Sequence, residues 1–397
     1  MKKKSKRMDK VSQITETDEW QNADIEYADV ISRDMFPFFG GKLTDNEKVG
    51  RYLDIIKMCP IYYPAQLTLG NTYLSIGKDK KGIEQLDAGF QVVKDFFEEE
   101  DMDNVINNVG DYLEKNLKFD LAIRYYQKAL EMISKKGWIY DSMAYCYTML
   151  GNFKEALKIQ QKALDYDPGN SKYYSNAGWI NMCIGNMEDA KILLKKSLKL
   201  NPDDDVTKGN YDALKCIVNK KLKNWDAYLL RKMDKYEYKD MEDEDFIKEI
   251  AEYNVCRLDA FKVEIVRGMP EYTIKKKVDL LLSIQYFFKN AFRDEFGGFD
   301  DDFFLYDDIN ELNFSFERRM KHVIDTTKDI DETIFNDIYT GLTEFYKFMT
   351  KKRLTTKDNF EKLKKTMELE KDDLYDKMMT KYKKRKKDTD EPNIFPF

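Results

Sequence analysis

The sequence predicts an all-α protein in which a solenoid of helical hairpins is followed by a second all-helical domain. Three observations lead to this fold class. Glycine and proline make up only 26 of 397 residues, about half of their average usage, so few tight turns can separate the elements. Hydrophobic residues form 42% and charged residues 35% of the chain, which suits helices with one buried and one solvated face. Small residues recur with a period of 34 positions.

The charge balance, the apolar segments and the cysteines argue against a nucleic-acid-binding, secreted or membrane-spanning protein. The chain has 67 Lys and Arg against 73 Asp and Glu, a net charge of −6, which is not the footprint of a nucleic-acid binder. The basic start Met1–Lys10 lacks a following apolar segment, and no apolar stretch approaches the length of a membrane span, so neither a secretory signal nor a membrane helix is predicted. Five dispersed cysteines without metal-ligand spacing indicate packing thiols in a reducing, cytoplasmic compartment.

The sequence offers no catalytic centre. The chain has one histidine, His322, so it cannot supply a pair of histidine metal ligands, and a nucleophile activated by histidine is not expected. Phosphate-binding glycine loops, metalloprotease motifs and hydrolase motifs are absent. The acidic cluster Asp300, Asp301, Asp302, Asp307 and Asp308 lacks calcium-loop spacing and is predicted as a solvated loop. We therefore expect no enzyme activity, no cofactor and no metal site.

Taken in order, the chain begins with residues 1–32, which we expect to form a basic and polar tail that is partly disordered. The solenoid is expected over 33–223. Asn46–Pro60 is predicted as the second helix of an incomplete unit, because Pro60 stands just before the first full unit. Asp205–Lys220 is predicted as a helix that caps the other end, since the last unit of a solenoid must cover its open face.

Four units between these caps share one pattern. Gly77, Gly151 and Gly185 stand at the expected turn between two helices, where a left-handed backbone is needed. Pro168 and Pro202, which are 34 residues apart, end the second helix of their units. Small residues recur at the expected helix crossings: Gly70, Gly110, Ala144 and Gly178; then Gly82, Ala122, Ala156 and Ala190; then Gly89, Ala129, Ala163 and Ser197.

This pattern resembles the tetratricopeptide repeat family, over about residues 40–220. The four full repeats are 63–96, 103–136, 137–170 and 171–204, with an acidic insertion at 97–102. The departures from the family pattern include Ser134 where proline is usual, Gln160 at a large apolar position, and Asn181. The resemblance implies a right-handed superhelix and a non-enzymatic scaffold or adaptor for protein–protein interaction.

The resemblance also implies a concave groove lined by the first helix of each repeat. Three groove aromatics, Trp138, Tyr145 and Trp179, occupy positions where packing between repeats does not demand them, and exposed aromatics are favoured hot spots. We expect an extended or helical segment of another protein with apolar anchors and some positive charge. The alternative is that these aromatics pack on flanking helices and close the groove. The predicted groove residues are Asn71, Asn107, Asp111, Glu114, Trp138, Asp141, Tyr145, Lys172 and Trp179.

Beyond residue 223 the period stops, and a helical C-terminal domain is predicted over 224–385. Its core is expected from three aromatic runs, Tyr286–Phe288, Phe303–Tyr306 and Phe345–Phe348. We expect Asp329 or Asp331 to cap its fifth helix and Thr355 or Thr356 its sixth. The amphipathic helices are predicted at 224–238, 242–267, 272–294, 302–325, 331–352 and 356–385.

The chain ends in a basic run, Lys381–Lys387, and a flexible tail at 386–397. The basic run is either a helix end that suits its dipole or a contact for nucleic acid or an acidic partner. The final residues are similar to the C-terminal tip of bacterial single-stranded-DNA-binding proteins, which implies docking of Phe395 and Phe397 on a partner. Two rival functions therefore stay open: a regulator that uses these basic tails, and a self-assembling structural protein. The residues predicted for such contacts are Lys381, Lys383, Lys384, Arg385, Phe395 and Phe397.

Overall fold

A computed structural model describes residues 11–35, 43–233, 243–292, 304–327 and 330–390 of the chain. It divides into two compact units. Unit 1 contains the residues up to Ile180 together with Ala190–Lys208, and unit 2 contains Asn181–Asp189 together with the residues from Gly209 onwards. The regular elements of the described residues are α-helices, as the sequence predicts.

The first helical pair of unit 1 starts earlier in the chain than the sequence predicts. Helix α1 (Asp18–Met35) packs against α2 (Asp45–Met58). Ala23 and Val30 are fully buried in a shared core, and Trp20 and Tyr27 pack against it. Residues 18–32 are thus not a polar tail but the missing first helix of the incomplete repeat. Their sparse apolar residues recur at helical spacing, and this places them on a single face.

The four predicted repeats are four helical pairs. Within each pair the two helices cross at small residues, because any larger side chain would separate them. A Cβ on Gly70 would lie 2.7 Å from Leu86 Cγ, and one on Gly178 would lie 2.7 Å from Leu194 Cγ. The pairs are α3 (Tyr63–Ser75) with α4 (Asp79–Phe96), α5 (Glu99–Lys115) with α6 (Phe119–Ala129), α7 (Gly137–Met149) with α8 (Phe153–Tyr166), and α9 (Ser171–Ile184) with α10 (Met187–Leu200).

The turns inside the pairs confirm the predicted backbone. Gly77, Gly151 and Gly185 have φ of 76°, 79° and 102°, the left-handed region that favours glycine. The second repeat places Leu117 at the corresponding position, with a φ of 57°. Its side chain is 6% exposed, so burial of the leucine offsets part of the strain of this conformation.

The acidic insertion explains why the second repeat lacks its closing proline. Glu98 and Asp101 form a reciprocal capping box, which starts α5 at Glu99. The Glu99 carboxylate accepts hydrogen bonds from both the backbone N–H and the hydroxyl of Ser134. A proline at position 134 has neither donor. The insertion and the serine therefore form one structural feature.

Unit 2 is a bundle of helices with an aromatic core. Within it α14 packs on α16 and α15 packs on α17. The Phe288 and Tyr306 rings are stacked at 3.8 Å, and the Phe261 and Phe345 rings meet edge to face at 5.2 Å. The bounds are α11 (Asp205–Asn219), α12 (Trp225–Leu229), α13 (Asp243–Gly268), α14 (Ile274–Ala291), α15 (Ile309–Thr326), α16 (Glu332–Lys351) and α17 (Lys357–Asp390).

Two predicted helices of this part are shorter than expected. The helix predicted at 224–238 ends at Leu229, and the one predicted at 302–325 begins at Ile309. In both cases the backbone beside the helix end forms hydrogen bonds with side chains of α13 instead. The Arg257 guanidinium donates to the carbonyl oxygens of Leu229 and Arg231 and pairs with Asp307, with Nε 2.6 Å from Oδ1.

The acidic run before α15 is consequently not a solvated loop where the structure describes it. The Asp307 side chain is 14% exposed and paired with the fully buried Arg257. Asp308 caps α15 by accepting a hydrogen bond from the Glu311 N–H. Asp300, Asp301 and Asp302 lie outside the described residues. The predicted cap of α16 is Asp331, and Thr356 accepts from the Asn359 N–H at the start of α17.

The cysteines carry no disulfide. Cys59, Cys146, Cys183 and Cys256 are buried, and Cys216 is half-buried. None of the helices described is both long and apolar enough to span a lipid bilayer.

Candidate partner-binding groove

The predicted groove residues lie on the first helices of the repeats, α3, α5, α7 and α9, and differ in exposure. Asn107, Asp111 and Lys172 are exposed, whereas the other six are half-buried. Asp111 pairs with Lys115 on the same helix at 2.6 Å, and both side chains are more than half exposed. Such a surface pair contributes little to stability, so Asp111 can exchange its partner for a cation of another molecule.

Two groove aromatics form a joint surface between neighbouring repeats. The Tyr145 ring on α7 stacks on the Trp179 ring on α9, with centroids 5.9 Å apart and planes 29° apart. Phe119, the first residue of α6, supports Tyr145 edge to face at 6.0 Å. The aromatic pair is half-buried, so it is held in place from behind and still has faces in contact with solvent. Rigid, partly exposed aromatics of this kind favour partner binding.

Asp141 is held beside this pair of helices by two amides that are not among the predicted groove residues. Its Oδ1 accepts from Gln160 Nε2 and its Oδ2 from Asn176 Nδ2, both at 2.7 Å. Burial raises the pKa of Asp141, and the two hydrogen bonds oppose this effect. Gln160 stands out in the sequence as the polar exception at an apolar repeat position. That exception is now explained, because its amide also donates to the Tyr173 carbonyl at 3.0 Å.

Glu114 does not fit its predicted role as a groove charge for basic side chains. Its Oε1 accepts a hydrogen bond from the Tyr126 hydroxyl at 2.7 Å and lies 3.5 Å from Cys146 Sγ. Burial and the Glu114 charge raise the pKa of Tyr126. Glu114 thus joins helices α5, α6 and α7 inside the solenoid. The family resemblance implied a groove position for Glu114 and could not show that a buried tyrosine donates a hydrogen bond to it.

The Trp138 side chain and the backbone of Asn71 also make contacts within the solenoid. The Trp138 ring meets the Tyr126 ring of α6 edge to face at 6.2 Å. The backbone carbonyl of Asn71 accepts a hydrogen bond from the Tyr112 hydroxyl at 2.8 Å, which joins α3 to α5. The alternative of aromatics packed on flanking helices therefore describes Trp138 better than it describes Tyr145 and Trp179.

The basic run at the end of the chain has an internal role. Lys381 Nζ donates to the carbonyls of Ile324, at 2.7 Å, and of Asp325, and Arg385 donates to the carbonyl of Thr327. These are the carbonyls at the C-terminus of α15, where a cation is favourable. Lys383 and Lys384 are exposed. Phe395 and Phe397 lie outside the described residues.

Within the described ranges, no cluster of three or more His, Cys, Asp or Glu side chains could hold a metal ion.

Comparison with known proteins assigns part of the chain. Two tetratricopeptide repeat models match, one at residues 101–168 and one at 171–204. No curated protein sequence matches this chain.

Several solved structures are similar in fold at low identity. YrrB, described as a TPR protein with an unusual peptide-binding site, is 20% identical to this chain. The alignment covers 41% of this chain and 81% of the YrrB chain, with a TM-score of 0.32. MamA is 21% identical over 40% of this chain and 89% of its own, with a TM-score of 0.31. The P58(IPK) TPR domain is 15% identical, and the alignment covers 93% of this chain and 94% of that domain, with a TM-score of 0.23.

The assignment rests on the two repeat models together with the four helical pairs. The match lies within the region that the sequence pattern predicts and leaves the C-terminal part unassigned. Tetratricopeptide repeats build scaffolds for protein–protein interaction and are generally not enzymes. We conclude that residues 101–168 and 171–204 of this chain form tetratricopeptide repeats.

Proposed function

We propose that the chain is a non-enzymatic cytoplasmic scaffold that binds a peptide or helical segment of another protein along the first helices of its repeats. The observation that carries the proposal is the half-buried Tyr145–Trp179 stack, which bridges two consecutive repeats. Aromatic side chains that are already ordered before binding lose little conformational entropy when a partner covers them.

The polar residues of the same helices specify the partner further. Asn107 and Asp111 are exposed on α5. Asp141 on α7 is held by hydrogen bonds from the amides of Gln160 and Asn176. Amide side chains bond to an extended backbone, and carboxylates attract cations. The arrangement favours a segment with an apolar anchor for the aromatic stack and a Lys or Arg near Asp111.

A site-specific crosslinking experiment tests this proposal. A photoreactive amino acid replaces Asn107 in full-length protein, and a matched variant carries it at Lys195, an exposed residue of α10, which is the second helix of its repeat. We expect Asn107 to give discrete crosslinked proteins in a native lysate, identified by mass spectrometry, and Lys195 to give none of them. The same crosslinked proteins from both positions, or none from Asn107, would contradict the proposal.

Variants then test which contacts matter with the purified partner segment. Trp179→Ala removes one ring of the stack, and Asp111→Lys reverses an exposed charge without touching the packing. We expect each to weaken binding by roughly tenfold, as for a typical hot-spot residue. Lys195→Ala is the control and should leave binding unchanged. Circular dichroism checks that all variants keep their helical content.

A further inference from the structure

Unit 2 contains a cavity that is distinct from the repeat groove. It has a volume of about 680 Å³ and is formed by residues of α11 from Gly209 onwards, by the short helix α12, and by α13. This volume lies within the range of pockets that hold small organic ligands, roughly 300–1,000 Å³. The cavity is therefore large enough for a small molecule.

One wall of the cavity is built rigidly around Arg231. Its guanidinium lies 3.9 Å from the Tyr228 ring centroid and 4.3 Å from that of Tyr253. It donates to Glu252 Oε1, which also accepts from the Tyr228 hydroxyl at 2.6 Å. Both donors reach the same oxygen. In the part of the chain that the structure describes, Oε2 of this half-exposed carboxylate is left to accept a hydrogen bond from a ligand.

The charge of the lining favours a cation. The lining contains four carboxylates and two basic groups; of these, Arg231 pairs with Glu252, and Asp212 pairs with Lys215 of its own helix. Asp259 is accessible to solvent, yet surrounding protein desolvates its carboxyl and raises its pKa, with only Lys262 opposing the effect. Asp259 belongs to the cavity lining, and a cation beside it would favour the ionised form of its carboxyl.

The spacing of the carboxylates and the apolar lining indicate the shape of the ligand. Glu252 and Asp259 are seven residues apart on α13, which separates them by roughly 10 Å along the helix axis. Leu229, Val255 and the Trp225 ring belong to the same lining, where methylene groups can be buried and a cation can lie over a ring. We propose that this cavity binds a linear aliphatic polyamine, with one ammonium group at Glu252 and another at Asp259.

Isothermal titration calorimetry of the full-length protein with spermidine tests the proposal. We expect saturable binding with one site per chain in moderate salt. Asp259→Asn removes the charge at a solvent-accessible position and should weaken binding about tenfold or more, as expected for loss of a charge-assisted hydrogen bond. Asp259→Lys places a cation in the cavity and should abolish binding.

Matched controls separate a specific site from the general negative charge of the chain. Glu271→Gln makes the same charge change at an exposed residue outside the cavity lining, and its binding should equal that of the unchanged protein. 1,8-Octanediol, a chain of similar length without charge, should not bind. The proposal is overturned if spermidine shows no saturable binding, if Asp259→Asn binds as well as the unchanged protein, or if Glu271→Gln weakens binding equally.

Discussion

At the scale of single residues, Gly110 shows why small side chains recur in this solenoid. It lies in the interior of α5, where glycine is less favourable than alanine by about 0.5–1 kcal/mol. A Cβ at this position would come within 2.2 Å of the Tyr126 hydroxyl oxygen. That hydroxyl is fixed by its hydrogen bond to Glu114, so the ring cannot move without breaking a buried contact.

We therefore expect Gly110→Ala to destabilise the protein by about 1–3 kcal/mol, the usual cost of overpacking. Gly50 is the matched control because it is also inside a helix, α2, and has no atom within 4 Å of an added Cβ. Gly50→Ala should stabilise by up to about 1 kcal/mol. Urea unfolding of both variants measures the difference. Equal effects of the two substitutions would contradict the role given to the Gly110–Tyr126 contact.

Asp307 makes a second prediction at this scale. Its carboxylate is paired with Arg257, whose side chain is fully buried, and an unpaired buried guanidinium is unfavourable. We expect Asp307→Asn to destabilise unit 2 by about 3 kcal/mol. Asp245→Asn, which removes an exposed partner of Lys248 on α13, should change stability by less than about 0.5 kcal/mol. Thermal unfolding followed by circular dichroism compares the two variants. Similar losses of stability would contradict the larger contribution expected from the buried pair.

At the scale of elements, Glu264 joins α13 to α16. Its side chain is 10% exposed and lies 2.6 Å from Lys351 Nζ and 2.9 Å from Lys352 Nζ. Burial alone would raise the pKa of Glu264, but hydrogen bonds from the two lysines lower it below its ordinary value of 4.5. The folded state therefore binds this proton more weakly than the unfolded state does.

The pH dependence follows from this difference in proton binding. The contribution of Glu264 to stability is fully present above about pH 4.5 and is lost as the pH falls through the lower pKa of the folded state. We expect Glu264→Gln to lower the free energy of unfolding by about 1–2 kcal/mol at pH 7, and the gap to the unchanged protein to close below pH 4. A gap that stays constant from pH 7 to pH 3 would contradict the ion pair as its cause.

The elements also show what sequence reasoning can and cannot reach. The repeat pattern is local and periodic, so it predicted the four helical pairs and the turns at Gly77, Gly151 and Gly185. The late start of α15 depends on Arg257, which is fifty residues away in sequence, and no local pattern contains that contact. The candidate site was predictable to a similar extent: the family resemblance implied groove positions for Tyr145 and Trp179, whereas the roles of Gln160 and Asn176 depend on contacts between repeats.

At the scale of the whole molecule, the division into two compact units predicts two unfolding transitions. Each unit has its own buried core, and the substitutions Gly110→Ala and Asp307→Asn lie in different units. Independent units depart from two-state unfolding. In differential scanning calorimetry we expect two peaks, of which Gly110→Ala lowers the midpoint of one and Asp307→Asn lowers the midpoint of the other. A single peak that both substitutions shift would show that the units unfold together.

The bond between Glu99 and Ser134 bears on how the repeats can be exchanged. Repeats of this family are attractive as interchangeable modules, and a proline would be the natural residue to restore at position 134. Here the serine serves the acidic segment that precedes the repeat, because Glu99 accepts both of its donors. A segment moved into another protein should therefore include the acidic insertion together with the 34-residue repeat. Homologous chains are expected to gain or lose the two features together.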